Sequence, residues 1–148
     1  MRQSEQIFNI LLRLIRKSSV LIAQPRPFGT DDLLYSSEIH MIDVIGRQPG
    51  ICVTGIAQKL DITKGAVPKI IRKLLKKNMI YRYQAPLNKK MVLFKLTDKG
   101  EIAFQAHVEF HEELDQSIIR KFDVMPEKEC QQFKDIMHDI ESYIDKIK

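Results

Sequence analysis

The sequence predicts a mainly α-helical fold that carries one small β-hairpin. Three observations predict it. Apolar residues recur at helical spacing in most of the chain. The period changes to strand-like only between Met79 and Leu96. Proline and glycine punctuation falls between the periodic segments, at Pro25 and Pro27, at Gly46–Gly50, and at Pro126. With 148 residues, 44% of them apolar, the chain is long enough for one domain with long helices. It is too apolar and too periodic for general disorder.

The first helix carries Ile7, Ile10, Leu11, Leu14, Ile15, Leu21 and Ile22 on one wide face, and Pro25 and Pro27 end it. The second starts near Ser36 or Ser37, either of which suits a cap. It runs through Ile39, Met41, Ile42 and Ile45. Cys52-Val53-Thr54 opens a short third helix with Ile56, Ala57 and Leu60 on its buried side. Asp61-Ile62 then forms a tight turn. Thr63 caps a fourth helix striped by Val67, Ile70, Ile71, Leu74 and Leu75, and Asn78 suits its C-terminal cap. Residues 79–83 and 91–96 read as two strands joined by a polar loop over 84–90. Thr97-Asp98 caps a fifth helix striped by Ala103, His107, Phe110 or His111, Leu114 and Ile118. Pro126 sits in the first turn of the last helix, whose Cys130, Phe133, Met137, Ile140, Ile144 and Ile147 form a coiled-coil-like seam.

The charge is unevenly divided. Residues 59–90 carry 10 Lys/Arg against 1 Asp/Glu, while residues 101–148 carry 6 against 12. The overall +5 therefore hides a strongly basic middle block and an acidic end. A block of this density suits a polyanion. Its layout sharpens the point. A short helix, a tight turn, a second helix and a hairpin together make a helix-turn-helix with a wing. Opposite the apolar stripe of the fourth helix stand Lys64, Gly65, Pro68, Lys69, Arg72, Lys73 and Lys76. A DNA major groove admits one helix, and small residues near its N-terminus let the backbone approach. Thr63, Lys64, Gly65, Pro68, Lys69, Arg72 and Lys73 are therefore the candidate contacts of this helix. Arg82, Asn88, Lys89 and Lys90 add the wing, which meets an adjacent minor groove. The alternatives are a winged helix used for protein contacts, or a metal-binding protein without sequence-specific DNA binding.

At these residues the chain resembles the MarR family of transcriptional regulators. The resemblance is carried by Val53-Thr54-Gly55-Ile56-Ala57-Gln58-Lys59-Leu60, Thr63-Lys64-Gly65-Ala66-Val67, Leu74-Leu75-Lys76-Lys77-Asn78-Met79-Ile80 and Val92-Leu93-Phe94-Lys95-Leu96-Thr97-Asp98-Lys99-Gly100. It implies a single domain over 1–148, with a winged-helix DNA-binding module over 33–97 and a helical dimerisation region over 1–24 and 98–148. It implies a homodimer that represses at a short palindrome of double-stranded DNA and is released by a ligand. Two features depart from the family pattern. Asn88-Lys89-Lys90 stands where the family wing usually carries Asp-x-Arg, and lysine lacks the guanidinium fork. Pro68 falls inside the predicted recognition helix, so a kink or a loosened first turn is expected there.

His107 and His111 are four residues apart, which aims both rings at one point, and His40 lies on the second helix. This set resembles the zinc-sensing branch of the family. The expected cofactor is Zn or another divalent metal, bound by His40, His107 and His111. The acidic first-helix ligand of that branch has no clear match, and Gln24, Asp31, Asp32 and Glu38 are the candidates for it. Against this stands the plainer reading, in which the histidines are partly buried and hydrogen-bonded within the stripe. Cys52 at a helix start reads as a small half-buried hydrophobe or a reactive thiol, and Cys130 reads as packing.

No Gly-rich phosphate loop, nucleophile signature or His-Glu-x-x-His is present, so an enzyme is not expected. No apolar run is long enough to span a membrane. The chain opens on an amphipathic pattern rather than a signal peptide, and a cytoplasmic location is expected.

Overall fold

The computed structural model describes residues 2–147, and the side chains of all of these except 113–115. Leu114, expected in the stripe of the fifth helix, thus lies outside the described side chains. The elements run α1 (Gln3–Ala23), α2 (Ser36–Arg47), β1 (Ile51–Cys52), α3 (Val53–Leu60), α4 (Val67–Lys76), β2 (Ile80–Ala85), β3 (Asn88–Leu96), α5 (Asp98–Asp123) and α6 (Glu127–Lys146). The fold is mainly helical with a small antiparallel wing. Two compact units divide it, residues 1–108 and residues 109–148.

In the first unit the core gathers one face from each short helix. Met41, Ile42 and Ile45 of α2, Ile56 of α3, and Val67 and Leu74 of α4 are fully buried with Leu34 and Met79. These are the apolar stripes expected from the sequence, closed over one another. α1 differs: it has no buried residue.

The ends of the elements follow from local chemistry. Neither Ser36 nor Ser37 caps α2. Tyr35 holds the N-cap position, and its N–H donates to the carboxylate of Glu38 at 2.8 Å. α4 starts at Val67 rather than just after Thr63. Pro68 explains the delay, because it has no N–H to donate back to the carbonyl of Lys64. Residues 64–66 form a turn instead, and Thr63 accepts the Ala66 N–H through Oγ1 at 3.3 Å. Pro68 therefore sits in the first turn of α4, where a missing donor costs nothing, and the expected kink is replaced by a shortened helix. At the other end Asn78 takes a left-handed conformation (φ +55°). Its N–H donates to Leu75 O, and that of Met79 to Leu74 O at 2.9 Å, closing the helix as a Schellman-type cap.

The wing is longer than expected. β2 and β3 pair up to Ala85 and Asn88, leaving only Pro86-Leu87 at the tip where a seven-residue loop was predicted. A register shift beyond Gln84 gathers Lys89, Lys90 and Met91 opposite a single step of β2. β1 adds a third strand, with Ile51 opposite Phe94. Two residues carry no period, so no sequence pattern announces it.

Thr97 fixes the start of α5. Its hydroxyl donates to Asn78 O at 2.6 Å and accepts the Gly100 N–H at 3.0 Å. Gly100 is required at this point, because a Cβ there would overlap the carbonyl of Met79.

In the second unit, Phe122 of α5 packs on Phe133 of α6, with ring centroids 5.3 Å apart. The Cys130 thiol donates to Phe122 O at 3.7 Å. Pro126 is the N-cap of α6 rather than a residue of its first turn.

Candidate nucleic-acid interface

α4 separates its two faces cleanly. Val67, Ile71 and Leu74 are buried, whereas Pro68, Lys69, Arg72, Lys73 and Lys76 are exposed. The periodicity of the apolar residues thus fixes the direction of the cations: with the stripe in the core, Lys69, Arg72 and Lys73 project outward. Thr63, Lys64 and Gly65 lead into the helix as an exposed turn, and a Cβ built on Gly65 would meet nothing within 4 Å. That open surface lets backbone N–H groups approach a phosphate closely.

The hairpin presents a second basic cluster. Arg82 on β2 and Asn88, Lys89 and Lys90 on β3 are all exposed. Asn88 shapes the tip by accepting the Lys90 N–H through Oδ1 at 3.2 Å. All the DNA-contact candidates lie in the first unit: one set on α4 and its lead-in turn, the other on the wing.

One basic residue of the block faces inward. Lys77 Nζ lies 2.8 Å from Oε1 of the fully buried Glu38. Sequence reasoning assigned Lys77 no role, and no local signal pairs two residues 39 positions apart. Beside this pair opens a cleft of about 390 Å³ lined by Asp32, Tyr35, Glu38, Lys73, Lys76 and Lys77.

The histidines are only partly gathered. His40 is exposed on α2 and His107 is buried on α5, with ring centroids 5.8 Å apart. Nδ1 of His107 faces Oδ1 of Asp43 at 3.5 Å. The other oxygen of Asp43 accepts from Arg47 Nε at 2.8 Å, and that contact raises the arginine pKa above its ordinary value. His111 lies four residues along α5 in the second unit, half-buried, its ring 5.8 Å from that of Phe110. The acidic candidates are engaged elsewhere: Glu38 pairs with Lys77, and Asp31 and Asp32 both meet Lys99. Among the described residues no group of three or more His, Cys, Asp or Glu is placed to hold a metal ion. As it stands, the donor set falls short of the four ligands that a structural zinc site takes.

Residues 34–92 match the profile of the MarR family. Over this segment the chain is similar to the MarR family. The match runs from the start of α2 into β3, so it covers the helix-turn-helix and the wing and stops before His107. Among curated relatives, the HTH-type transcriptional regulator PchR of Bacillus subtilis is 39% identical over 93 residues, covering 63% of this chain and 55% of that protein. The chain spans little more than half the length of that relative. Among solved structures, FabT of Streptococcus pneumoniae in complex with DNA is 26% identical, with a TM-score of 0.70 over 97% of this chain and 99% of that one. A zinc-responsive MarR family member, ZitR of Lactococcus lactis, gives a TM-score of 0.73 over 97% of this chain and 99% of that one, at 19% identity. At that identity the likeness is one of MarR fold alone.

Proposed function

We propose that this chain is a MarR family transcriptional regulator, a repressor that binds a near-palindromic double-stranded DNA operator as a homodimer. The observation that carries the reading is α4, whose apolar stripe is buried while Lys69, Arg72 and Lys73 are exposed. The exposed basic wing and the DNA-bound relative support it. Thr63, Lys64, Gly65, Pro68, Lys69, Arg72 and Lys73 contact the major groove, and Arg82, Asn88, Lys89 and Lys90 the flanking minor groove. Residues 33–97 form the DNA-binding module, and helices within 1–24 and 98–148 join two copies. Exposed Ile7, Leu14, Ile15 and Ile22 on α1, and Phe133, Met137 and Ile144 on α6, support that joining. An apolar surface of this extent marks an interface. A cytoplasmic site of action belongs to this reading; no described helix is long and apolar enough to cross a membrane.

The test is a footprint and a shift assay on the promoter fragment of its own gene. Two recognition helices related by a twofold axis should protect half-sites roughly 10 base pairs apart. A variant carrying Lys69→Ala, Arg72→Ala, Lys89→Ala and Lys90→Ala should no longer shift that fragment. Undiminished binding by this variant would refute the assignment.

A second reading concerns the effector. The neighbouring rings of His40 and His107 favour a divalent metal, Zn first, with His111 as the further ligand expected from the sequence. The competing effector is a small organic molecule. Calorimetry with Zn²⁺ on the metal-free protein separates the two. Wild-type binding that survives His107→Ala plus His111→Ala would remove the metal reading and leave the DNA-binding one intact.

A further inference from the structure

Lys77 belongs to the basic block by sequence, yet its ammonium points into the protein. Nζ donates to Oε1 of Glu38 at 2.8 Å and to the Leu33 carbonyl at 2.7 Å, and lies 5.8 Å from the centre of the Tyr35 ring. Glu38 is fully buried, and its second oxygen accepts the Tyr35 N–H at 2.8 Å. Both carboxylate oxygens are therefore engaged, one by the backbone of the α2 N-terminus and one by the end of α4. Lys77 is the C-cap of α4, at the point where Asn78 turns the chain away. Lys73 and Lys76, on the turn before it, are exposed.

The two kinds of contact that hold α4 do different things. Burial of Val67, Ile71 and Leu74 fixes which face is inward, but apolar burial is non-directional. A charge-assisted hydrogen bond has a preferred length and direction, so it resists sliding and rotation of the helix about its axis. We propose that the Glu38–Lys77 pair is a positioning clamp for α4. It holds the rotation and axial register in which Lys69 and Arg72 meet base edges together. The inference rests on the DNA-binding reading and deepens it: Lys77 is a residue of sequence discrimination that touches no DNA. A phosphate contact would act differently, because it supports all sequences alike and adds to the salt dependence.

The experiment uses the full chain and two duplexes of equal length. One is selected from random sequence by the wild-type protein, and the other is its scrambled counterpart. Affinities for both are measured across a salt series for wild type, Lys77→Met, Glu38→Gln, the double variant and Lys77→Arg, with thermal melting of each. The double variant is decisive, because it leaves no unpaired buried charge and so separates aim from stability. It should melt near wild type and bind the scrambled duplex within about twofold of wild type. It should lose about tenfold or more on the selected duplex at an unchanged salt slope. Lys77→Arg keeps charge and donors and should retain discrimination. A double variant that discriminates like wild type overturns the proposal. So does equal loss on both duplexes with the salt slope reduced by about 0.9, which would make Lys77 a phosphate contact. A double variant that no longer melts cooperatively also overturns it, since the pair would then hold the fold rather than aim the helix. If the wild type selects no duplex, the DNA-binding reading itself fails. Selection by wild type with no effect of the clamp variants removes the clamp alone.

Discussion

α4 and α1 are both amphipathic helices of the first unit, and they leave opposite faces bare. α4 buries Val67, Ile71 and Leu74 and shows its cations. α1 buries nothing and shows Ile7, Phe8, Leu14, Ile15, Leu21 and Ile22. α4 has met its apolar requirement inside its own chain, so what it offers outward is charge. α1 offers apolar area. Charge attracts at long range and weakens with salt, whereas area acts only on contact and depends on concentration. The two helices should therefore fail differently when changed, and the largest failure should come from the apolar one. Ile15→Glu combined with Ile144→Glu places a carboxylate on α1 and another on α6. The expected outcome is a folded monomer by sedimentation at micromolar concentration, with operator binding abolished at every salt concentration. A dimer that persists with its affinity intact would break the comparison.

The next effect tests how α5 docks onto the winged helix. Gly100→Ala drives a methyl into the Met79 carbonyl, and backbone cannot move aside as a side-chain end does. A loss of about 3 kcal/mol is expected, the upper part of the overpacking range. Denaturant titration checks it. A midpoint unchanged from wild type would mean that the start of α5 shifts freely, and that Thr97 does not anchor it.

Smaller again are the changes on the charged face. Lys69→Ala or Arg72→Ala should each cost about 1–3 kcal/mol on the operator if the side chain reaches a base edge. That loss should be much smaller on scrambled DNA. Lys89→Ala with Lys90→Ala should weaken both DNAs alike and lower the salt slope by roughly 0.9 for each phosphate left without its lysine. Salt titrations on the two duplexes measure this. Sequence-selective loss from the wing pair would assign reading to the wing rather than to α4.

The parts of the fold that were legible in advance are those written in local periodicity. The apolar stripes of α2, α3 and α4 and the left-handed Asn78 stand where the pattern puts them. The exposure of Lys69, Arg72 and Lys73 follows from the stripe they oppose. What was hidden needed chain-distant partners or competing local rules. β1 is two residues long and exists only because Ile51 meets Phe94. The start of α4 was misplaced because Thr63 is a good cap and Pro68 a strong veto, and the veto governs where the helix begins. The wing looked like two short strands because Asn88, Lys89 and Lys90 carry no apolar alternation, yet they pair in β3 all the same. Glu38 read as a candidate ligand, while its partner Lys77 stood in the basic block with no role of its own. Only the packing of α4 on α2 brings the two together.

The smallest effect belongs to an ion pair at the surface, and it contrasts with the buried one. Lys99 Nζ lies 2.8 Å from Asp31 Oδ1 and 2.5 Å from Asp32 Oδ2, joining the segment before α2 to the first turn of α5. The hydrogen bond from Lys99 holds the Asp31 carboxyl below its ordinary 3.8, helped by a backbone hydrogen bond and by the lysine charge. The same contacts, led by the hydrogen bond with Asp31, raise Lys99 above 10.5. A lowered carboxylate stabilises the fold above its unfolded pKa and loses that contribution as pH falls through its lowered folded value. A raised lysine stabilises below its unfolded pKa and loses its contribution as pH rises through the raised one. The contribution is thus level between the two and fades at both extremes. Asp31 is largely exposed, so solvent and salt screen the pair and its total effect is small. Lys99→Met should lower the denaturation midpoint slightly at pH 7. The gap from wild type should narrow below pH 3.8, as Asp31 takes up its proton. Paired urea titrations at neutral and strongly acid pH measure it. An equal gap at both pH values would show that Lys99 acts through the packing of its alkyl stem instead of through its charge.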